Sequence, residues 1–396
     1  MHKIMLALIG LTFTVSSYGE IAKAPLDLSI HESYRSVRAM GMGGAFTAVA
    51  NDHSAILINP AALARRKDGV VRMLLGGGFS DSFLGFADDI SQVSDEGTED
   101  EQIDNLTALL ESKYGENFNL HFPRLGGFWA RPNWGIAIMP LDTTVDLNVN
   151  RQAGPALNIS VYQDTTIAYG WARDVDWLNK WFGWDGQLSV GVTGKAINRV
   201  FFGQSIIAAD LAANDPDYFS EDAAAEGMTF DFDLGLLYTP KIESGKWYSF
   251  LKVAEPTFAV VMRNLLDYGF TTNLGLIGDG DLEPPKLQRR LDLGSTWDLP
   301  NFWVLDPRLN VDLKNMLHEN WSFSKGLHIG AEVFWEMYSW WKGHWAIGLH
   351  QTYVSAGVGM KFGVFQLDLA TYGEEVGTTD DPVEDRRFLI EMSLDF

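Results

Sequence analysis

The last ten residues, Arg387 to Phe396, constrain this chain more than any other stretch. Phe388, Ile390, Met392, Leu394 and Phe396 alternate with Leu389, Glu391, Ser393 and Asp395, and the alternation runs to a terminal aromatic carboxylate. A strand with one wholly apolar face normally packs that face on a core, but this one has a polar opposite face and no element after it. The pattern predicts the lipid-facing closing strand of a membrane β-barrel, the strand that barrel-assembly machinery would engage. The competing reading is a half-buried terminal strand of a soluble sandwich.

The amino terminus favours the barrel. Met1-His2-Lys3 is a basic start, Ile4 to Val15 is apolar, and Ser17-Tyr18-Gly19 supplies small residues before a cut. Residues 1–19 read as a secretory signal cleaved near Gly19, with a buried core helix as the alternative. The apolar run, about a dozen residues, is too short to span a bilayer as a helix. The chain has no cysteine, which excludes a lipoprotein anchor, disulfide staples and a thiolate metal site. An exported chain without a spanning helix is periplasmic, secreted or a closed outer-membrane barrel.

A formal charge of -22 argues against a nucleic-acid partner, because a phosphate backbone calls for clustered Lys and Arg. The acidic residues gather in Asp88 to Glu101, Asp210 to Glu226, Asp279 to Glu283 and Glu374 to Asp385, which read as solvated loops. The 14 tryptophans fit a barrel with aromatic belts at both membrane interfaces.

From residue 69 onward, short runs of two-residue periodicity alternate with Gly, Pro, Asn and Asp clusters. They predict strands at Gly69–Phe79, Arg124–Ala130, Asn133–Val149, Asn158–Ala172, Gln187–Arg199, Met228–Thr239 and Thr257–Leu265. The second half adds Arg289–Asp298, Pro307–Lys314, Gly326–Glu336, Trp345–Gln351, Thr352–Phe362, Val364–Tyr372 and Arg387–Phe396. The fold class is therefore all-β, a transmembrane antiparallel barrel of about fourteen strands over residues 69–396. Charged residues within the alternation, such as Asp231 and Asp233, would meet water in the lumen. Short connections such as Arg131-Pro132 and Gly363 fall on one side, and long ones such as Ser80 to Pro123 and Leu266 to Gln288 on the other. In the first long loop, Ile103, Leu106, Leu109 and Leu110 predict an amphipathic helix over Gln102 to Tyr114, capping the barrel mouth or its own loop.

Residues 20–68 do not read as strand. Gly41, Gly43 and Gly44 permit close backbone approach or positive φ, and Pro60 fixes a turn. A compact apolar segment ahead of the first strand is placed to fold back into the lumen; a disordered leader is the alternative.

The run Arg38 to Leu63, with its Gly-Met-Gly-Gly-Ala-Phe core and Asn59-Pro60-Ala61, resembles the amino-terminal hatch of the FadL-like outer-membrane proteins. Similarity continues in the carboxy-terminal stretch from Leu327, above all in Thr371 to Gly377 followed by Asp385-Arg386-Arg387. The resemblance implies a barrel closed by a hatch, passing hydrophobic molecules such as long-chain fatty acids or hydrocarbons without direct energy coupling. It implies a gating and packing role for Asn59, Pro60 and Ala61, behind the glycines at 41, 43 and 44. In the uptake branch, ligand enters a luminal pocket and leaves sideways through the wall. The PorV-like branch implies instead a barrel that docks secreted or partner proteins.

No enzyme signature emerges. Asp52-His53-Ser54 holds the residue types of a hydrolase triad, but adjacent side chains point apart, so an ordinary polar turn is expected. The histidines show no metal-ligand spacing, and His344 among Trp340, Trp341 and Trp345 reads as part of an interface belt. Gly278 to Asp281 with Glu283 lacks the full ligand set of a calcium loop, and no cofactor is expected. A carboxylate ligand in the lumen would need a cation at its head; the candidates are Arg38, Lys195, Arg263 and Arg290, with Arg199 and Arg289 behind them. Each has the alternative role of ion-pair partner to a luminal carboxylate. Partners expected are outer-membrane lipid and a hydrophobic small molecule.

Overall fold

A computed structural model describes residues 30–396 apart from 33, 50, 96–97, 152–154, 176, 178–184, 209, 211–223, 243–251, 268, 277–281 and 378–380. The expected signal segment and the Gly278 to Asp281 run lie outside the described residues. The strands are β1 (Val70–Ser80), β2 (Asn117–Arg131), β3 (Trp134–Arg151), β4 (Pro155–Asp174), β5 (Gly186–Ile207), β6 (Ala224–Pro240) and β7 (Pro256–Arg263). They continue as β8 (Arg290–Asp298), β9 (Leu305–Met316), β10 (Leu327–Tyr338), β11 (Trp341–His350), β12 (Tyr353–Phe362), β13 (Phe365–Glu375) and β14 (Glu384–Asp395). Each of the fourteen expected strands is present, every neighbour is antiparallel, and β1 pairs with β14 to close the barrel.

The two-residue period sorts side chains to opposite faces of this wall. On β14, Phe388, Ile390, Met392 and Leu394 face outward and are exposed, while Arg387, Glu391, Ser393 and Asp395 face inward and are buried. The same division places Phe230, Phe232 and Leu234 of β6 outside and Asp231 and Asp233 inside. An apolar outer face of this kind needs acyl chains around it. Arginine at Ile390, near the middle of that face, is expected to cost about 2–4 kcal/mol in urea unfolding from lipid vesicles.

Three sequence expectations change here. Of the described tryptophans, only Trp321 lies at the long-loop end; Trp129, Trp134, Trp171, Trp297, Trp335, Trp341 and Trp345 crowd the short-turn end, so the described tryptophans form one belt, not two. His344 does not belong to it, because alternation turns Trp341 and Trp345 outward and His344 inward, where it is buried against Phe334. The acidic stretch from Glu374 is not solvated loop: Glu374, Glu375 and Asp385 lie on β13 and β14, buried and bonded to Arg35, Tyr353 and Arg387.

On the long-loop side β2 and β5 run seven and eight residues beyond their predicted ends and β3 and β4 two and three, raising one side of the wall. The outward face of this extension, including Phe118, Leu147, Leu157 and Phe202, is apolar and buried. It is covered by two helices, α3 (Phe83–Asp95) and α4 (Glu99–Ser112), numbered after the short helices α1 (Val37–Gly41) and α2 (Ala55–Ile58). Phe83, Phe86 and Ile90 of α3 and Leu106 and Leu110 of α4 form the buried stripes, and Phe86 stacks on Phe118 at 3.9 Å. The helix expected to cap either the barrel mouth or its own loop therefore lies on the outside of the wall. Its apolar stripe needs an apolar partner, and above the lipid the outward strand face supplies one.

Candidate functional site

The lumen is packed with ion pairs where water was expected. Arg72 bonds Asp395, Arg124 bonds Glu391, Arg199 clasps Asp164 with two bonds of 2.8 and 2.7 Å, and Arg263 bonds Asp292 at 2.8 Å. Each of these inward carboxylates is buried, so only close cations and hydrogen bonds offset the loss of its hydration.

Two segments enter this lumen. From one end come residues 30–66. Ser36 caps α1, and after it Gly43 and Gly44 take φ values of 67° and 80°, which open the left-handed region to the chain. The Phe46 and Thr47 amides donate to Asp312 of β9 at 2.7 Å each. Asn59, fully buried, accepts from the Ala61 amide at 3.1 Å and donates to the Thr47 carbonyl at 2.8 Å, tying the two turns of the segment together. Pro60 follows at the first position of a 3-10 turn, where its missing N–H costs nothing.

From the long-loop end comes the β7–β8 connection. After Arg263 the chain leaves the wall, because the inward carboxylates of β6 take its amides: Asp233 accepts from Asn264 at 2.9 Å and Asp231 from Leu266 at 3.0 Å. Phe270 then packs against Gly227 of β6 under the Arg199 guanidinium, and Arg199 donates to the Pro285 carbonyl at 2.9 Å. The connection leaves from the long-loop end as expected, but among its described residues Phe270 and Leu287 turn into the barrel while residues 271–276 stay exposed. Composition alone did not mark the buried pair, because Leu274 and Leu276 of the same loop are apolar and exposed.

Between the two segments lies a cavity of about 50 Å³ lined by Glu32, Tyr34, Leu57, Lys195, Ile197, Arg263, Leu287 and Arg290 among others. It brings together three of the four expected head-group cations. Lys195 is held by Asp233 at 2.7 Å and Asn264 at 2.6 Å, and Arg263 by Asp292. Arg290 has no carboxylate at ion-pair distance among the described residues; it donates to the His31 carbonyl at 2.5 Å and reaches Asn315 at 3.5 Å. Burial alone would raise the Glu32 carboxyl, yet Lys314, Arg35, Arg263 and Arg290 hold it well below the usual carboxylate range. Apolar side chains adjoin these charges: Ile197 packs with Phe270 and Leu287, and Tyr162 with Phe201 and Ala225.

Arg38, the fourth cation, sits apart from this cavity. Two bonds of 2.7 and 2.8 Å bind it to Glu332, a third of 2.9 Å to Asp52, and its guanidinium lies over Phe46 and Phe334. It braces the luminal segment to β10 above a wider space of 610 Å³ at the short-turn end, which Trp303, Phe334, Trp335 and His344 help line. Arg289 is exposed and donates to the Leu265 carbonyl.

Asp52-His53-Ser54 is a buried turn. Ser54 donates its hydroxyl and amide directly to Asp52, so no proton relay runs from serine through histidine, while His53 reaches Tyr34 at 3.2 Å. Burial, aided by Arg72, pushes the imidazole down to about 3, which keeps it neutral. The unfolded chain takes up that proton near 6.5, so the contribution is complete above pH 6.5 and is lost as pH falls towards 3. Amide exchange over residues 51–58 is expected to accelerate across that window, and His53→Gln to flatten the dependence.

No protein-family model matches the sequence, and no curated protein matches it. Solved structures do. The CymD monoaromatic hydrocarbon channel is 10% identical over 90% of this chain and 96% of that chain, with a TM-score of 0.50. The Ralstonia pickettii toluene transporter TbuX is 10% identical over 92% and 99%, with a TM-score of 0.47. The P. putida toluene transporter TodX is 10% identical over 93% and 98%, with a TM-score of 0.41. At such identity the likeness is one of fold: this chain is a closed, fourteen-strand transmembrane barrel of the architecture its FadL-like ends led us to expect.

Proposed function

We propose that this protein is a passive outer-membrane channel for hydrophobic small molecules such as long-chain fatty acids or hydrocarbons, with residues 30–66 acting as its hatch. The observation that carries the reading is the cavity held between two inward-folded segments, apolar along Ile197 and Leu287 and cationic at Arg290. The lining offers Ile197 and Leu287 to an apolar body and Arg290 to a polar head, and at about 50 Å³ the cavity must widen to admit such a solute. The shared fold of a monoaromatic hydrocarbon channel supports it. In this reading the Gly41, Gly43 and Gly44 bend and the Asn59-Pro60-Ala61 turn pack the hatch against the wall and fix the course left open to solute. Diffusion down a gradient needs no catalytic residue and no cofactor.

The test is uptake of toluene by cells carrying Leu287→Asp, with folding checked by heat-modifiable mobility on a denaturing gel. A buried charge in the apolar lining is expected to cut uptake about tenfold. Unchanged uptake in a folded barrel would remove the cavity from the route.

A further inference from the structure

Six inward glycines of the wall, Gly191, Gly235, Gly294, Gly330, Gly348 and Gly357, lie on six different strands and all meet the luminal segment. Each contact is closer than a side chain would allow. A Cβ on Gly191 would sit 2.4 Å from the Ala61 nitrogen, one on Gly330 2.3 Å from the Met42 carbonyl oxygen, and one on Gly357 2.7 Å from the Gly41 Cα. On Gly235 it would sit 2.2 Å from the Asn59 side-chain oxygen, and on Gly294 2.8 Å from the Thr47 Cβ. A glycine inside a strand weakens the sheet unless another backbone must come close, and here one does at every position.

Two-residue periodicity turns each of these contacts into a notch. The inward neighbours of Gly191 are Ser189 and Thr193, those of Gly235 are Asp233 and Leu237, those of Gly330 are His328 and Glu332, and those of Gly348 are Ala346 and His350. The segment's backbone lies in the floor of the notch with a side chain standing on either side. Sliding it along the barrel axis drives backbone into those side chains, and lifting it out strands the amides of Phe46 and Thr47 that Asp312 satisfies. Residues 30–36 are held differently, by side-chain charges such as Arg35 on Glu374 and Glu32 near Lys314.

We infer that residues 41–63 are keyed into a girdle of wall glycines and stay seated while solute passes, so that any route through the barrel runs around this core and does not wait for it to leave. The inference goes beyond the channel reading and does not need transport to be tested. Amide exchange of the full-length protein in detergent micelles, read by mass spectrometry with and without saturating toluene, decides it. Amides of residues 41–63 are expected to exchange as slowly as those of the strands in both conditions. Acceleration by about tenfold or more on adding toluene, with the strands unchanged, would overturn it. In a second arm, Gly191→Val is expected to speed exchange over residues 55–65 by about tenfold while the strand amides stay protected. Should that variant fail to assemble, Gly191→Ala is read in the same way. Unaltered exchange in a folded variant would show that the girdle holds nothing. If toluene proves not to be a solute of this barrel, the channel reading loses support while the glycine arm still decides the seating.

Discussion

Arg124→Ala is expected to destabilise the barrel by about 3–5 kcal/mol, because it leaves a buried carboxylate without its close cation. Arg124 is completely buried; it donates to Glu391 of β14 at 2.7 Å and to the Arg35 carbonyl at 2.6 Å, and its guanidinium lies over the Tyr34 ring. Without it Glu391 retains, among the described residues, only the Arg72 ion pair at 3.9 Å. The pairs Arg124 with Glu391 and Arg72 with Asp395 join β2 and β1 to β14, across the seam where the first and last strands meet. Urea midpoints in lipid vesicles measure the loss. Glu391→Gln added to Arg124→Ala is expected to recover more than half of it, since the double variant removes the stranded charge. A single variant costing under about 1 kcal/mol would show the seam ion pairs to be no stronger than exposed ones.

Asp312→Ala carries the second large expectation, about 2–4 kcal/mol, from two buried amides losing their common acceptor. Asp312 is 1% exposed and accepts from Phe46 and Thr47 through one oxygen. Asp312→Asn keeps an acceptor oxygen and is expected to cost well under half as much. Amide exchange over residues 42–49 reports the loss locally, and strand amides serve as the control. Equal effects of the two substitutions would mean that charge, not hydrogen-bond acceptance, is what Asp312 supplies.

The strands were legible because membrane and lumen impose opposite demands on alternate residues, and β6 with Phe230, Asp231, Phe232 and Asp233 writes that demand directly into its sequence. Much of the luminal site was less legible. Lys195, Arg263 and Arg290 could be named as inward cations, but the pairing of Lys195 with Asp233 and the relative isolation of Arg290 depend on strand register and on where two incoming segments stop. Phe270 and Leu287 escaped notice because a long acidic loop reads as solvated, and only the carboxylates of Asp231 and Asp233 turn it inward. Gly191 and Gly235 keep the alternation of their strands, so nothing in it hints at what comes close to them.

Sequence by itself determined the barrel, its fourteen strands and the face each one shows to lipid, since a two-residue period leaves one arrangement that satisfies both solvents. Only the tertiary structure decided that a second segment, from the β7–β8 connection, joins the amino-terminal one in the lumen, how the charges there pair and which side of the wall the loop helices cover. Those outcomes turn on contacts between residues hundreds of positions apart, such as Arg124 with Glu391, and local periodicity carries no record of them.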